Sequence, residues 1–283
     1  MAEHHRNPLL PTDISCSELL RRVCGRLGLA GYEPGSPAQL SYLAANAHRW
    51  LGYDTTPKAL WALSGAAGNP PGLDPRQWWD SWLEHGTSGT CFATAIAFGW
   101  LLRQLGYSSV IDGWRLAGLN NGVGVHHATN RVALGDRQVL IELSSSVQVP
   151  LLWPQEGQAS SDPGRASTLS CVAGRYQLHT PRAADIGLKL YELVVQDMTL
   201  SQMLGYYQEA VSFAPAAQTR VIVARTRLDG RVVSMSGRRQ LVRRGMDVLN
   251  ETDLSRADQM RTLEYLGFSS AWVAQLDSRG AFT

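Results

Sequence analysis

The sequence predicts an α/β protein of the α+β kind, with an N-terminal helical bundle, a central β-barrel-like domain and a C-terminal α/β unit. Up to about residue 107, apolar residues recur at helical spacing, whereas residues 108–198 contain short runs that are typical of strands. The remaining residues return to a helical pattern, then to short strands and a last helix. We therefore expect three domains, at 1–107, 108–198 and 199–283.

The N-terminal domain is expected to consist of helices. In the last of them Phe98, Leu102 and Leu105 recur at helical spacing, and the glycine that follows is a natural stop. The predicted helices are Cys16–Leu27, Pro37–Trp50, Pro57–Ala62, Pro75–His85 and Cys91–Leu105.

The central domain is expected to be a barrel or a strongly curved sheet of short strands. The predicted strands are Ser109–Leu116, His127–Leu134, Arg137–Leu143, Arg175–His179 and Leu188–Val195. A polar stretch of 15 residues, 154–168, separates the third strand from the fourth. A loop of that length is either a lid or disordered, so we predict no strand there.

The C-terminal domain is expected to begin with a connecting helix. The predicted elements are a helix at Thr199–Glu209, strands at Arg220–Thr226, Val232–Met235 and Arg239–Arg243, and a helix from Ser255 to Leu266. Either Asp253 or Ser255 is suited to cap the last helix, because a side-chain oxygen there accepts a hydrogen bond from an unsatisfied backbone N–H.

Cys91 stands where a turn rich in Gly, Ser and Thr, residues 86–90, meets an apolar helix. At a helix start the unpaired backbone N–H groups and the positive end of the helix dipole favour a thiolate, which is the nucleophilic form. A lone Cys in an apolar helix is more often a small buried hydrophobe. The nucleophilic interpretation therefore depends on a base from elsewhere in the chain.

A predicted β-hairpin supplies a candidate base. Gly135-Asp136 separates its two strands and suits a two-residue type II′ turn. Such a turn pairs Leu134 with Arg137 and thereby sets the register. His127 and Glu142 then lie on the same side of the ladder, diagonal to each other and about 7–8 Å apart by backbone. A long side chain can bridge that distance.

His126 is the alternative base. Adjacent strand residues project to opposite faces, so His126 would point to the other face, with Ile141 and Leu143. A register slip of one residue would exchange the two histidines. We prefer His127 as the base. Because adjacent side chains diverge, the two histidines are not expected to chelate a metal together, and we predict no metal site.

Cys91, His127 and Glu142 together have the parts of a catalytic triad. The imidazole would accept the thiol proton, and the carboxylate would hold the tautomer and stabilise the imidazolium. A Cys-His pair of this kind forms an acyl-enzyme, and a thioester donor suits it because one thioester replaces another at little thermodynamic cost. Apolar flanks predict that Glu142 is mostly buried, where an unpaired charge would be unfavourable.

Several segments along nearly the whole chain match the motifs of one enzyme family. The matching segments are Thr87-Ser-Gly-Thr-Cys91, Leu101-Leu-Arg-Gln-Leu-Gly106, His127 with Glu142 fifteen positions later, and residues 26–28, 38–48, 206–207, 221–225, 228–231 and 263–268. Together they resemble the arylamine N-acetyltransferases. The resemblance implies a cysteine-protease/transglutaminase-like core, with the C-terminal α/β domain as a lid.

The chain departs from the usual motif of that family at several positions. Family members read Arg-Gly-Gly-x-Cys-x-Glu-x-Asn, whereas the matching positions here are Thr87, Ser88, Gly89, Cys91, Ala93 and Ala95. The usual triad Asp is Glu142, and Leu143-Ser-Ser-Ser146 replaces Val-Gly-Phe-Gly. Only Tyr53-Asp-Thr-Thr-Pro57 corresponds to the usual Pro-Phe-Glu-Asn. These departures favour a specialised biosynthetic enzyme over a broad detoxifying acetyltransferase.

The resemblance implies an N-acyltransferase with Cys91, His127 and Glu142 as catalytic residues. It would move an acyl group from acetyl-CoA, another acyl-CoA or an acyl carrier thioester, through Cys91, to a small-molecule amine. The thioester is a co-substrate, so no permanently bound cofactor is implied. A macrolactam-forming amide synthase is the alternative within the family. Outside it, the alternatives are a transglutaminase-like or protease-like hydrolase and an inactive binding protein.

Composition fits a cytoplasmic enzyme. The apolar fraction, 44%, is ordinary for a globular protein. Four cysteines show neither metal spacing nor the density of a disulfide scaffold, which favours a reducing compartment. The first residues are polar and lead into no hydrophobic signal core, and we expect no membrane partner.

Positive charge is concentrated near the C-terminal strands. Residues 220–244 hold eight arginines and one acid, Asp229, for a local charge of +7, whereas the whole chain carries +2. An anionic partner, either CoA or the acidic face of an acyl carrier protein, could dock there. Alternatively, the arginines are only the solvent-exposed side chains on the outer faces of strands. No motif typical of nucleic-acid binding is present in the sequence, so we predict no nucleic-acid partner.

Overall fold

In the described part of the chain, five helices and one short strand precede residue 107. The computed structural model describes residues 14–119, 122–145, 147–182, 187–213 and 218–282. The polar N-terminal residues 1–13, and Ser146, lie outside these ranges. The elements are α1 (Ile14–Leu27), α2 (Pro37–Trp50), β1 (Tyr53–Asp54), α3 (Thr56–Leu63), α4 (Pro75–His85) and α5 (Cys91–Gln104). Each helix lies within two residues of its predicted position, so the helical prediction is confirmed.

Tryptophans pack α4 against α5. Trp79 and Trp82 are fully buried, and the Trp79 Nε1 donates to the Ala97 carbonyl oxygen at 3.0 Å. Every residue of α5 from Phe92 to Leu102 is buried, so this helix has no polar face. The helix that begins with Cys91 is therefore held in the protein interior.

Within the described ranges, residues 108–195 form one eight-stranded antiparallel sheet. Its strands are β2 (Ser108–Leu116), β3 (His127–Leu134), β4 (Arg137–Ile141), β5 (Leu151–Leu152), β6 (Ala159–Asp162), β7 (Ser167–Val172), β8 (Arg175–Pro181) and β9 (Leu188–Val195). They are ordered β5-β4-β3-β2-β9-β8-β7-β6. The edges meet where the Leu152 N–H of β5 donates to Ser160 Oγ of β6 at 2.9 Å. The sheet is thus nearly closed, which confirms the predicted barrel-like domain.

One prediction for this domain is wrong. Residues 154–168, expected to be a loop, include β6 and the start of β7. These strands are rich in Ser and Thr, and β6 lies at a sheet edge with much of its surface exposed. A polar edge strand produces little hydrophobic signal, because strand preference depends on the surroundings of each residue.

A second antiparallel sheet, flanked by helices, follows. α6 (Leu200–Phe213) connects the two sheets, and α7 (Arg256–Tyr265) and α8 (Ser270–Ser278) come last. The strands are β10 (Ile222–Thr226), β11 (Val232–Ser236), β12 (Arg239–Arg244) and β13 (Asp247–Asp253), in the order β1-β10-β11-β12-β13. Ser255 caps α7, as predicted, by accepting from the Asp258 N–H at 3.2 Å. The sequence pattern predicts neither α8 nor β13, and β13 is too exposed to show alternation.

β1 links the helical part of the chain to the second sheet. Tyr53 pairs with Ala224 of β10 and also forms a bridge with Gly89, just before Cys91. Gly52 permits this approach, because a Cβ at that position would lie 2.0 Å from the Ala224 carbonyl oxygen. The division into domains at residues 107 and 198 stays a prediction. None of the helices in the described ranges is long and apolar enough to cross a bilayer.

Candidate active site

Cys91 lies at the junction of a helix and a sheet. It is the first residue of α5, and Thr90 is the N-cap residue. Its Sγ lies 3.8 Å from the carbonyl oxygen of His126, just before β3. The side chain is partly exposed and lines three cavities, of which one is very small. The thiol is therefore accessible and also close to the predicted hairpin. We call residues 86–90, which precede it, the nucleophile loop.

α5 approaches β3 closely because residue 99 is glycine. A Cβ at Gly99 would lie only 2.7 Å from Asn130 Nδ2. That nitrogen donates to the Ala95 carbonyl oxygen of α5 at 3.0 Å. The contact holds the helix that begins with Cys91 against the strand that begins with His127.

The β3–β4 hairpin has the predicted register. Leu134 pairs with Arg137, and the pairing continues without a bulge along the described strands. Gly135 has a φ of +61°, whereas Asp136 keeps a negative φ, as a type II′ turn requires. The turn chemistry read from the sequence is therefore confirmed.

The imidazole of His127 lies between a carboxylate and an aromatic ring. Its Nε2 is hydrogen-bonded to Glu142 Oε2. The ring stacks on Tyr191 of β9, with centroids 4.6 Å apart. His127 and Glu142 are 3% and 2% exposed. Because Nε2 is used by Glu142, Nδ1 is the nitrogen left to interact with the Cys91 thiol.

Two serines support the carboxylate of Glu142. Ser144 Oγ donates to Oε1 at 2.7 Å, and the Ser145 N–H donates to the same oxygen at 2.9 Å. Burial raises the pKa of Glu142, but the charge and hydrogen bond of His127, together with the serine donors, hold it below its usual range. Both serines belong to the segment that departs from the family motif, and here they stabilise the ionised acid.

Cys91 and His127 influence each other's ionisation. Burial raises the pKa of the Cys91 thiol, but the charge and hydrogen bond of His127 and a hydrogen bond with the Ala128 backbone bring it below its ordinary value. Burial lowers the pKa of His127, but Glu142 and Cys91 outweigh it and raise that pKa to about 10. Both shifts favour a thiolate beside an imidazolium over the neutral pair.

His126 occupies a different position. Because β3 begins at His127, strand alternation does not extend to His126, and the prediction that it shares a face with Ile141 and Leu143 is wrong. Those two residues pack in the helical core, whereas His126 lines the cavities beside Cys91. Its Nδ1 accepts from the Leu116 N–H at 3.3 Å. Burial lowers the pKa of His126, which does not favour an imidazolium there.

The lowered thiol pKa predicts an unusual pH dependence of alkylation. Cys91 should keep reacting with iodoacetamide as the pH falls below about 8.5, the ordinary thiol pKa, and slow only when the pH passes through its own lower pKa. Cys24 is the internal control, since burial raises its pKa and its reaction should slow at higher pH. Peptide mass spectrometry across a pH series measures both rates. Equal midpoints would contradict the ion pair.

Charged residues that are distant in the sequence hold the nucleophile loop. Arg225 of β10 is buried, and its guanidinium donates to the Gly86 carbonyl oxygen. Asp54 of β1, also buried, accepts from the Ser88 N–H at 2.7 Å. The family motif has its arginine at the position of Thr87. In this chain an arginine reaches the loop from a distant strand instead.

A cavity on one side of Cys91 is rich in cations. Its volume is about 330 Å³, and its walls include His127 and Tyr191. Its cationic side chains are Arg182, Lys189, Arg220 and Arg239. We call it the cationic cavity.

The arginine cluster at 220–244 serves more than one purpose. Arg220 and Arg239 line the cationic cavity, and Arg239 also forms an ion pair with Glu251 at 2.7 Å. Arg225 is buried beneath the nucleophile loop. Arg238 is exposed and forms an ion pair with Asp253. Some of these arginines therefore fit the interpretation as an anion site, and others fit the interpretation as solvent-exposed side chains on strands.

A second cavity beside Cys91 is mostly apolar. Its volume is about 210 Å³. Its apolar walls are Phe92, Val123, Tyr207, Ala210 and Val211. The Phe92 and Tyr207 rings stack with centroids 5.5 Å apart. Lys58 of α3 also lines this cavity, which we call the apolar cavity.

Sequence reasoning missed several residues of the site. Tyr191, Ser144 and Ser145 carry no local signal, because the closure of the sheet and the end of β4 bring them to the triad. The two lysines did carry a signal in the composition. Lysine occurs only at positions 58 and 189 of the whole chain.

Comparison with known proteins identifies the fold. No family model and no curated protein matches the sequence, but solved structures do match. Arylamine N-acetyltransferase from Salmonella typhimurium has a TM-score of 0.74 at 15% identity, over 93% of this chain and 98% of that one. The enzyme from M. tuberculosis has a TM-score of 0.72 at 19% identity, over 92% and 98%. This chain has the arylamine N-acetyltransferase fold.

A third structure with this fold is that of Mycobacterium marinum arylamine N-acetyltransferase in complex with CoA. It has a TM-score of 0.70 at 17% identity, over 92% of this chain and 97% of that one. The fold implied by the motif resemblance is thus confirmed over nearly the whole chain. At such low identity the likeness concerns the fold, and the chemistry must be argued from the site.

Proposed function

We propose that this protein is a cysteine-dependent N-acyltransferase, which moves an acyl group from a thioester donor to an amine through an acyl-enzyme on Cys91. One observation supports this most. A buried pair, Glu142 and His127, reaches the Cys91 thiol at a point where two cavities of different character meet. Donor and acceptor can therefore approach the same sulfur from different sides.

In the first half-reaction the Cys91 thiolate attacks the carbonyl carbon of the donor thioester. A carbon–sulfur bond to Cys91 forms, the bond to the donor sulfur breaks, and the departing thiolate takes the proton of the His127 imidazolium. Glu142 keeps the imidazole oriented and stabilises its charged form.

In the second half-reaction the amine nitrogen attacks the carbonyl carbon of the acyl-enzyme. A carbon–nitrogen bond forms and the bond to Cys91 breaks. The proton of the amine passes to the neutral imidazole of His127, so the thiolate and the imidazolium are both restored. No resident cofactor is needed for either half-reaction.

The cationic cavity suits an anionic donor. Four cations line it beside Cys91, and both the phosphates of a CoA thioester and the acidic face of an acyl carrier protein would be attracted to them. The M. marinum enzyme with this fold is described in complex with CoA. We place the reaction in the cytoplasm, where thiols stay reduced.

An amide synthase is the second candidate within the same mechanism. In that case the attacking amine belongs to the acyl chain itself, and the product is a macrolactam. The altered motif around Cys91 favours specialised biosynthesis in either case, because Thr87, Ala93 and Ala95 replace the polar residues of the usual motif.

Incubation with acetyl-CoA should add one acetyl group to Cys91. Intact-mass and peptide mass spectrometry would detect it, Cys91→Ala should gain nothing, and Cys24→Ala should behave as the wild type. An added amine should then remove the acetyl group and appear as an amide. Carrier-bound acyl thioesters are tested in the same way.

Two results would contradict this proposal. Cleavage of peptide amides without any acylation by thioesters would indicate a hydrolase. No acylation, together with a Cys91 thiol pKa near 8.5, would indicate a binding protein.

A further inference from the structure

Lysine is rare in this chain, and both lysines lie at the candidate site. Of the 26 Lys and Arg residues, 24 are arginine. Lys58 lines the apolar cavity and Lys189 lines the cationic cavity, on different sides of Cys91. The charge of Cys91 acts on both. Because arginine occupies every other basic position, the compact ammonium of lysine is confined to this site.

Among the described residues, the negative charge that acts on Lys58 is that of the Cys91 thiolate, which is lost when Cys91 is acylated. Lys58 lies in the first turn of α3 and makes no ion pair or hydrogen bond within the described ranges. Burial lowers its pKa, and the group that opposes this effect is Cys91. A cation partly withdrawn from water is unfavourable without a partner. An anionic group bound beside Lys58 would therefore gain from the interaction.

The walls around Lys58 indicate what the anion is attached to. Phe92 stacked on Tyr207, with Val123 and Val211 nearby, presents aromatic and aliphatic surface. Such surface binds a hydrocarbon or aromatic body. A single ammonium offers one unit of positive charge, which equals the charge of one carboxylate.

The anion at Lys58 does not belong to the donor. The cationic cavity already offers three arginines and Lys189 to the phosphates or acidic residues of a donor. The apolar cavity contains Lys58 and His126 as its titratable side chains besides Cys91 and two tyrosines. Burial disfavours the imidazolium of His126, so Lys58 is the group that can supply positive charge in this cavity. That leaves the apolar cavity for the acceptor.

We propose that the acceptor of this enzyme is an amine that also carries a carboxylate, and that Lys58 binds this carboxylate. The apolar cavity holds the hydrocarbon or aromatic part of the acceptor, which joins the amine to the carboxylate. The inference rests on the proposed function, since an acceptor exists only if Cys91 is acylated. The carboxylate takes no part in bond making. It places the amine nitrogen against the acyl carbon on Cys91.

Matched pairs of acids and amides test this inference. Para-aminobenzoate with para-aminobenzamide, and ε-aminocaproate with its amide, are compared for their ability to slow alkylation of Cys91 by iodoacetamide in the full-length protein. In at least one pair the acid should protect at a concentration lower by about tenfold or more. Lys58→Met should abolish this advantage, Lys58→Arg should keep part of it, and Lys189→Met should keep it.

Several outcomes would overturn the inference. In the wild-type protein, these are equal protection of Cys91 by acid and amide in both pairs, or no protection by any of the four compounds. In the variants, they are an advantage of the acid over the amide that survives Lys58→Met, or one that is lost in Lys189→Met. A stable acyl group on Lys58 after incubation with acetyl-CoA would also overturn it. Circular dichroism checks that each variant is folded. Lys58→Arg keeps the positive charge, so it tests whether the charge is what favours the acid.

The experiment also separates this inference from the proposed function. Alkylation needs no acyl transfer. If the acid is preferred through Lys58 but acetyl-CoA does not acylate Cys91, the proposed function fails and only a carboxylate site remains. If Cys91 is acylated but no acid is preferred, the inference fails alone.

Discussion

The variant His127→Ala is expected to be acylated on Cys91 by acetyl-CoA about 10⁴-fold more slowly than the wild-type protein. The charge and hydrogen bond of His127 are what bring the thiol pKa below its ordinary value against the effect of burial. Without the imidazole, the effect of burial would raise the thiol pKa and favour the protonated form. Quenched-flow mass spectrometry measures the rate at which the acyl mass is added.

His126→Ala is the matched control for this variant. His126 lines both cavities beside Cys91, but its Nδ1 accepts from the Leu116 N–H rather than serving the thiol. Its loss should therefore affect acylation far less. If His126→Ala were the slower of the two, the base would be misassigned despite the observed hairpin register.

Glu142→Gln is expected to slow acylation by about 10³-fold to 10⁴-fold. Glutamine has nearly the same shape as glutamate, so the change removes the charge that raises the pKa of His127. The pKa of His127 should then fall, and NMR titration of its imidazole measures this fall alongside the acylation rate. A residue with only a packing role would not shift that pKa.

Glu142→Asp is the control that keeps the charge. It is shorter by one methylene, so it cannot reach both His127 and Ser144 in the observed geometry, and we expect a smaller loss than for glutamine. A folded Glu142→Gln protein that acylates at the wild-type rate would reject the orienting role of the carboxylate.

The two cavities suggest how one sulfur can serve two substrates. The cationic cavity and the apolar cavity share Cys91, Tyr53 and His126 but differ in charge. Under the proposed function, a polyanionic donor would be attracted to the first and excluded by apolar walls from the second. The order of the two half-reactions would then follow from the shape and charge of the site.

Much of the site could be predicted from local sequence. The Gly135-Asp136 turn sets the pairing of its strands, so the proximity of His127 and Glu142 follows from a few neighbouring residues. The helix that begins with Cys91 is likewise evident from its apolar pattern. Such features depend on backbone preferences and short-range periodicity, which a sequence displays directly.

Other elements escaped prediction for identifiable reasons. β13 is exposed along most of its length, and β6 is a polar edge strand, so neither has the alternation that marks a half-buried strand. The hydrogen bond from Arg225 to the nucleophile loop also could not be predicted from a local sequence pattern. It joins segments far apart in the chain, with Arg225 in the second sheet and Gly86 before α5.

The sequence by itself determined the helices, the hairpin register and the pairing of an imidazole with a carboxylate, because each depends on residues that are close along the chain. Only the tertiary structure decided that Cys91 reaches His127, that Arg225 and Asp54 hold the loop before it, and that both lysines face the same thiol. These contacts arise when α5, the nearly closed sheet and β10 pack together. Long-range packing depends on the shapes of whole elements, which no local pattern records.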